Sequence, residues 1–357
     1  MKCLPSTKLP QANGTTLHDW HAEILALRAF NRFLLDECLS TLTPPYQPSQ
    51  FVTPRLTSEI TPTEPQSFRL SNNVQIHMYS SEAPCGDASM ELTMSAQEDA
   101  TPWTSAPPSI SSSNLIITTM DTQKPSPTAL RGRSHFSHLG AVRLKPSRPD
   151  APPTLSKSCT DKLAASQSAS LLSSLPSLLL SPRKIYLSSL VLPESQYVEE
   201  ACVRAFSRYG RLAGITEEVQ KGWMGGYAFT PFEVKTTKRE FGFSRRCAGV
   251  QKLIPCNISA VYTPHFQETL IGGVLQGRKQ FDPRGASRLC RNGMWKAVMQ
   301  VAGLVVGAEG LGSLRGRSYG EVKRGKGLEW RRRVKEDVRG RGLVGWVRNE
   351  GDEEWGI

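Results

Sequence analysis

Apolar positions recur at three- and four-residue spacing through "HDWHAEILALRAFNRFLLDECL", which predicts a helix over residues 18–39 with Ile24, Leu27 and Phe30 on one stripe. Farther on, "NVQIHMYSS" alternates Val74, Ile76 and Met78 with polar residues, the period-two signature of a strand. The chain then turns through "EAPCGDASMEL", where a short helix is expected to begin near Pro84 or Cys85. "KSCTDKLAASQSASLLSSL" reads as a turn into a helix, "KIYLSSLVLP" as a strand, and "SQYVEEACVRAFSRYGR" as another helix. Two further strands, "NISAVYT" and "QETLIGGVLQG", precede the helical "SRLCRNGMWKAVMQVAGL", and residues 316–341 form a basic helical tail. Strands alternating with helices predict a layered α/β domain.

Two stretches break this pattern. Residues 41–67 and 95–138 are rich in Pro, Ser and Thr and lack periodicity, so both read as loops or disordered inserts. They interrupt one domain, residues 1–357, and do not divide it into two.

Composition narrows the setting. The 357 residues carry a formal net charge of +12, which favours a polyanionic partner, with nucleic acid the first candidate. The opening "MKCLPSTKLPQANG" has no apolar core of a signal peptide, and "LLSSLPSLLL" is too interrupted to span a bilayer. An intracellular protein, nuclear and/or cytoplasmic, without membrane association is therefore expected; no protein partner can be inferred. In that setting the eight cysteines should be buried thiols or metal ligands, with Cys38, Cys202 and Cys290 ordinary core residues.

His21 and Glu23 sit beside the apolar stripe of the first helix, where packing alone needs neither. A zinc-dependent nucleobase deaminase requires a His/Cys/Cys metal site and a glutamate that moves protons without binding the metal. His and Glu two residues apart at one helix start let the first bind metal while the second reaches the water. A thiolate at a second helix start is favoured by backbone N–H groups and the helix dipole. "HAE" at 21–23 and "PCGD" at 84–87 meet both demands. In small cytidine deaminases the second cysteine lies within Pro-Cys-x-x-Cys, but that position is Ala88 here. The remaining candidate is Cys159 in "SKSCTDK". Alone, His21 would read as a capping or surface histidine and each cysteine as a buried thiol; their conjunction favours metal.

"LHDWHAEILALRAF", "SSEAPCGDASMEL" and "TLSKSCTDKLA", in that order, resemble the family of adenosine deaminases acting on RNA. "GASRLCR" and "LVGWVR" resemble later segments of that family, so the likeness spans the chain apart from its inserts. The resemblance implies a three-layer cytidine-deaminase-like core, a central mixed sheet flanked by helices. It also implies His21, Cys85 and Cys159 as zinc ligands, with Glu23 as catalytic proton shuttle. Three protein ligands leave a fourth position open for water, the mark of a catalytic zinc. Hydroxide attack at C6 of adenine and loss of ammonia would leave inosine. Family members carry several tens of residues before the "KCLP" segment, so the fold is expected to be N-terminally incomplete.

The same resemblance implies buried inositol hexakisphosphate, held through Lys2, Arg28, Lys162, Arg291, Tyr319, Lys323 and Trp346. Asp19 and Lys162 would relay from this cofactor to Cys159. Leu27, Ala165 and Ser166 stand where relatives often carry Arg, Arg and Trp. "WRRRVKEDVRGR" reads as a solvated basic face. With nothing resembling a double-stranded-RNA-binding domain, the expected substrate is tRNA, at the adenosine just 3′ of the alanine anticodon. The alternatives are a zinc-containing RNA-binding protein without activity and an editase of double-stranded RNA. A free-cytidine deaminase fits less well.

Overall fold

Helix α1 (Ala22–Leu42) starts four residues later than its apolar pattern predicts and runs three residues further. His21 is its N-cap, in extended conformation (φ −63°, ψ 147°), which places Glu23 in the first turn. The computed structural model describes residues 2–104, 129–146, 150–244, 246–247, 249, 256–305 and 314–357. Along α1 the buried positions are Ile24, Leu25, Ala29, Asn31, Leu34, Leu35 and Cys38, while Leu27 and Phe30 are half-buried. The helix bridges two apolar clusters: Leu25 and Ala29 pack with Leu4, Leu17, Trp20 and Leu270, whereas Leu34, Leu35 and Cys38 join the larger core.

Among the described residues the further α-helices are α2 (Met90–Ser95), α3 (Cys159–Ala169), α4 (Glu199–Phe206), α5 (Glu217–Lys221), α6 (Arg291–Ala302), α7 (Tyr319–Arg324) and α8 (Glu329–Arg341). The strands are β1 (Val52–Pro54), β2 (Phe68–Leu70), β3 (Ile76–Tyr79), β4 (Leu130–Arg131), β5 (Arg143–Leu144), β6 (Leu187–Pro193), β7 (Glu233–Thr237), β8 (Ile258–Thr263), β9 (Phe266–Ile271) and β10 (Val274–Leu275). The chain is thus a mixed α/β protein. The single mixed sheet that was expected is not what the described strands form. Strands β3, β6 and β7 make a parallel ladder, β10, β9 and β8 an antiparallel one, and β1–β2 and β4–β5 two short pairs. The difference follows from the connections: long crossovers force parallel pairing, whereas tight turns allow the antiparallel meander. Gly272 and Gly273, both at positive φ, make one such turn between β9 and β10.

Part of the first expected insert is ordered. β1 lies inside residues 41–67 and pairs with β2, burying Val52 against Phe68 and Leu70. One buried valine within a Pro/Thr/Ser context is too little to produce a periodic signal. Of the second expected insert, 105–128 lie outside the described residues, whereas 129–138 contain β4 and the buried Phe136. Cys290 is buried but does more than fill space, since its Sγ caps α6 by accepting from the Gly293 N–H at 3.2 Å. Among the described residues no helix is long and apolar enough to cross a membrane.

Candidate active site

Two helix starts meet at the site. The N-terminus of α3 is built by Ser158, whose Oγ accepts from the Asp161 N–H at 3.1 Å. The Asp161 carboxylate is fixed in turn by the Arg143 N–H (3.0 Å) and the Arg211 guanidinium (2.6 Å). Thr160 then anchors the incoming loop. Its N–H donates to the Cys85 carbonyl (3.1 Å) and its hydroxyl to the Pro84 carbonyl (2.8 Å). Gly86 turns this loop at φ 115°, and a Cβ there would sit 2.2 Å from Ser158 Oγ. The result places Cys85 Sγ 3.4 Å from the Cys159 N–H.

The two sulfurs titrate as a pair. The hydrogen bond from Cys159, working against burial and helped by the Lys145 ammonium, holds the Cys85 thiol down to about 6. Cys159 is pushed up by burial and by its bond to Cys85. The two sulfurs are thus shifted in opposite directions, Cys85 toward the thiolate and Cys159 toward the thiol. The Glu23 carboxylate lies near enough to oppose ionisation of both sulfurs, and it has no hydrogen bond or ion pair to a described residue.

His21 is aimed by Asp19. Its Nδ1 lies 2.8 Å from Asp19 Oδ1, which also accepts the His21 backbone N–H at 3.1 Å. A proton on Nδ1 leaves the Nε2 lone pair free, the arrangement by which a carboxylate orients a metal-binding histidine. Asp19 Oδ2 accepts from the buried Lys145 (2.8 Å), from Ser156 (2.9 Å) and from Lys162. Burial alone would raise the Asp19 carboxyl, but the two ammonium groups hold it well below the usual range. Lys145 also donates to Cys159 Sγ at 3.1 Å, so the contact that reaches this cysteine comes from Lys145 and not from Lys162 as expected.

Among the described residues, the trio of metal-ligating atoms within 4.8 Å of one another is Cys3, Asp19 and His21. Cys3 Sγ lies 3.6 Å from His21 Nδ1, the nitrogen already given to Asp19. A cation among these three would also face both lysines on Asp19, so this trio reads as the support of His21. His21, Cys85 and Cys159 are less tightly gathered, though His21 is near enough to favour the Cys85 thiolate.

Behind Asp19 lies a cavity of about 950 Å³ whose wall carries eleven Lys and Arg side chains against six Asp and Glu. Arg28, Asp19, Lys162, Arg291, Tyr319, Lys323 and Trp346 line it, as do Leu27, Ala165 and Ser166. Lys2 does not; the backbone bridge from Cys3 to Asp19 turns it away, and its Nζ donates to Ser259 Oγ at 3.1 Å. The basic face of α8 is not fully solvated either. Arg331, Lys335 and Arg339 point from successive turns into the cavity, a four-residue spacing visible in the sequence. Burial, reinforced by Arg331, Arg339, Lys323 and Lys157, pushes Lys335 well below the ordinary lysine range. Lys335 has no hydrogen bond or ion pair to a described residue, and the buried Arg331 Nε has no hydrogen-bond partner.

The structure thus brings a carboxylate without a described partner, a histidine and two cysteines together at two helix starts of a mixed α/β fold, the donor types a hydrolytic deaminase centre requires. The comparisons with known proteins agree: the adenosine-deaminase (editase) domain matches residues 1–350, and the chain belongs to that family. It is 36% identical over 361 residues to a Schizosaccharomyces pombe protein named tRNA-specific adenosine deaminase 1, an alignment covering 99% of this chain and 82% of that one. A Saccharomyces cerevisiae protein of the same name is 36% identical over 201 residues, 54% of this chain and 44% of that one. This protein is accordingly an adenosine deaminase.

Proposed function

We propose that this protein converts adenosine to inosine in tRNA, at the adenosine immediately 3′ of the anticodon in alanine tRNA. The observation that carries the chemistry is the unpartnered Glu23 carboxylate beside Cys85 and Cys159; the names of the two relatives support the substrate. A base in a loop is already unpaired, so extruding it into a pocket costs little. The excess of positive charge suits the RNA backbone and makes binding salt-dependent. The parallel ladder with its crossover helices supports a three-layer cytidine-deaminase-like core.

The donor set fits zinc: one imidazole Nε2 aimed by Asp19, and two sulfurs of which Cys85 is shifted toward the thiolate by its bond to Cys159 and by the Lys145 ammonium. His21, Cys85 and Cys159 would hold it, and the metal would supply the Lewis acidity that makes hydroxide available near neutral pH. Glu23 takes one proton of the attacking water and delivers it to the ring nitrogen, then takes the second from the new C6 hydroxyl and passes it to the departing amine. Water is consumed, the C6–N bond breaks, and ammonia leaves. Lys145 holds Cys159 and Asp19 together throughout.

The cavity fits inositol hexakisphosphate in its cationic excess, its unpartnered Lys335 and its orphaned Arg331 Nε. Arg28, Lys162, Arg291, Lys323, Arg331 and Lys335 would hold its phosphates. A polyanion can be buried only where many cations neutralise it and donate hydrogen bonds.

The test is inosine formation in an unmodified alanine tRNA transcript, comparing the protein with Glu23→Gln. Loss of inosine with metal content retained supports both the reaction and the role of Glu23. Equal rates from the two proteins would refute that role.

A further inference from the structure

Phe241 and Phe243 stand out on the surface, 49% and 89% exposed, with their ring centroids 5.7 Å apart. A phenylalanine so exposed gives up most of its hydrophobic stabilisation, and two together form a patch that folding does not explain. Nor is their turn held loosely. Arg246 clamps it by donating to both Glu240 oxygens (3.0 and 2.8 Å), while the Ser244 N–H closes it onto the Phe241 carbonyl at 2.8 Å.

The same Arg246 reaches across to the active-site loop, donating to Glu82 Oε1 at 2.9 Å and to the Ser81 carbonyl. Residues 80–83 run directly into Pro84 and Cys85. A second tie comes from the segment after β6. Ser195 donates to Glu240 at 2.8 Å, while Gln196 accepts from the Ala83 N–H at 3.3 Å. The aromatic turn is therefore fixed rigidly to the segment that carries Cys85. Just before it in the chain, Lys238 and Arg239 are exposed, and neither pairs with a carboxylate among the described residues. Tyr79, itself part-exposed, adds a third ring at the end of β3 and donates to the Arg239 carbonyl at 3.4 Å.

We propose that Phe241 and Phe243 form a stacking platform for an unpaired nucleobase adjacent to the reacting adenosine, with Lys238 and Arg239 contacting its backbone phosphates. Aromatic rings interleaved with cations are how proteins hold single-stranded RNA, because every base offers a π face and every nucleotide a phosphate. The inference rests on the RNA-deaminase reading above and specifies how the substrate loop is gripped. An apolar protein partner would be poorly served by a patch rimmed with unpaired cations.

The experiment uses the full chain and the anticodon stem–loop of alanine tRNA with 2-aminopurine placed beside the target adenosine. Binding and 2-aminopurine fluorescence are read independently of inosine formation. Replacing both rings (Phe241→Ala with Phe243→Ala) should weaken binding about tenfold or more, raise KM by a similar factor, and relieve fluorescence quenching. Since the rings are exposed, the thermal midpoint should not move. Phe243→Trp should restore affinity. Unchanged binding and quenching in the double variant would overturn the proposal, as would a change in self-association without a change in RNA affinity. Wild-type protein that binds and quenches but makes no inosine would refute the deaminase reading while leaving the platform standing.

Discussion

Lowering the pH should destabilise the folded protein through His18. His18 is buried, with Nε2 2.7 Å from Asp352 Oδ2 and Nδ1 3.3 Å from the Asn349 side-chain amide. A neutral ring satisfies both contacts, with Nε2–H donating to the carboxylate and Nδ1 accepting from the amide. Arg291, at the start of α6, reaches the same carboxylate at 3.1 Å, and Arg28 adds positive charge from α1. Burial chiefly, then Arg291, outweighs the attraction of Asp352 and lowers His18 from 6.5 to about 4. The unfolded chain therefore binds this proton more readily than the folded one. The associated stability is complete above pH 6.5 and is lost as the pH falls toward 4. At 1.36 kcal/mol per pH unit the span from 6.5 to about 4 is worth about 3 kcal/mol. Asp352 does not interfere in this window. Its carboxyl is held below the usual range despite burial, by His18 and Arg291, so its contribution disappears only at lower pH. Urea unfolding at pH 7 and pH 4.5, for wild type and His18→Gln, measures the effect. The variant should be less stable at pH 7 but should lose much less between the two values. Parallel losses in the two proteins would refute the reasoning.

Lys145→Met should weaken metal retention 10–100-fold in a chelator competition, the usual cost of removing a group that orients a ligand. Retention equal to wild type would show that Lys145 does not position Cys159 and Asp19. Lys335→Met should act with opposite signs: a higher thermal midpoint than wild type without polyanion, because a crowded cation is removed, and a smaller rise when inositol hexakisphosphate is added. An equal rise in both proteins would sever Lys335 from the anion.

The motifs of the candidate site were legible because each is local. His21 and Glu23 share one helix start, Cys85 precedes a short helical turn and Cys159 opens α3, and each motif is short enough to recognise. Lys145 was invisible for the opposite reason. It lies 126 positions from Asp19, in "VRLKPS", a stretch with no chemical signature, and reaches the site only because β5 runs beside the α3 N-terminus. Lys2 came only from the family resemblance, and no local signal in the sequence shows that its side chain turns toward Ser259 on β8. The α8 cations carried a signal that a charge count hides. Residues 331, 335 and 339 share a face with each other, while Val334 and Val338 beside them are buried. A basic helix that also buries valines cannot be solvated all round.

Asp19 explains why the candidate metal centre and the cationic cavity are electrically one unit. Oδ1 is committed to His21, whereas Oδ2 takes Lys145 from the cysteine side and Lys162 from the cavity side. One negative charge facing two ammonium groups leaves the cluster positive, which favours ionisation of the cysteines but adds to the repulsion within the cavity wall. Lys162 donates to Asp19 and to Ser156 (2.8 Å), which uses two of its three N–H groups. The third remains for a cavity anion, so such an anion could be held without breaking the bond that orients His21. A neutral ligand of the same size would offset none of the excess charge, and so would not relieve the depressed Lys335. That asymmetry is the physical ground on which the proposed cavity ligand is a polyanion.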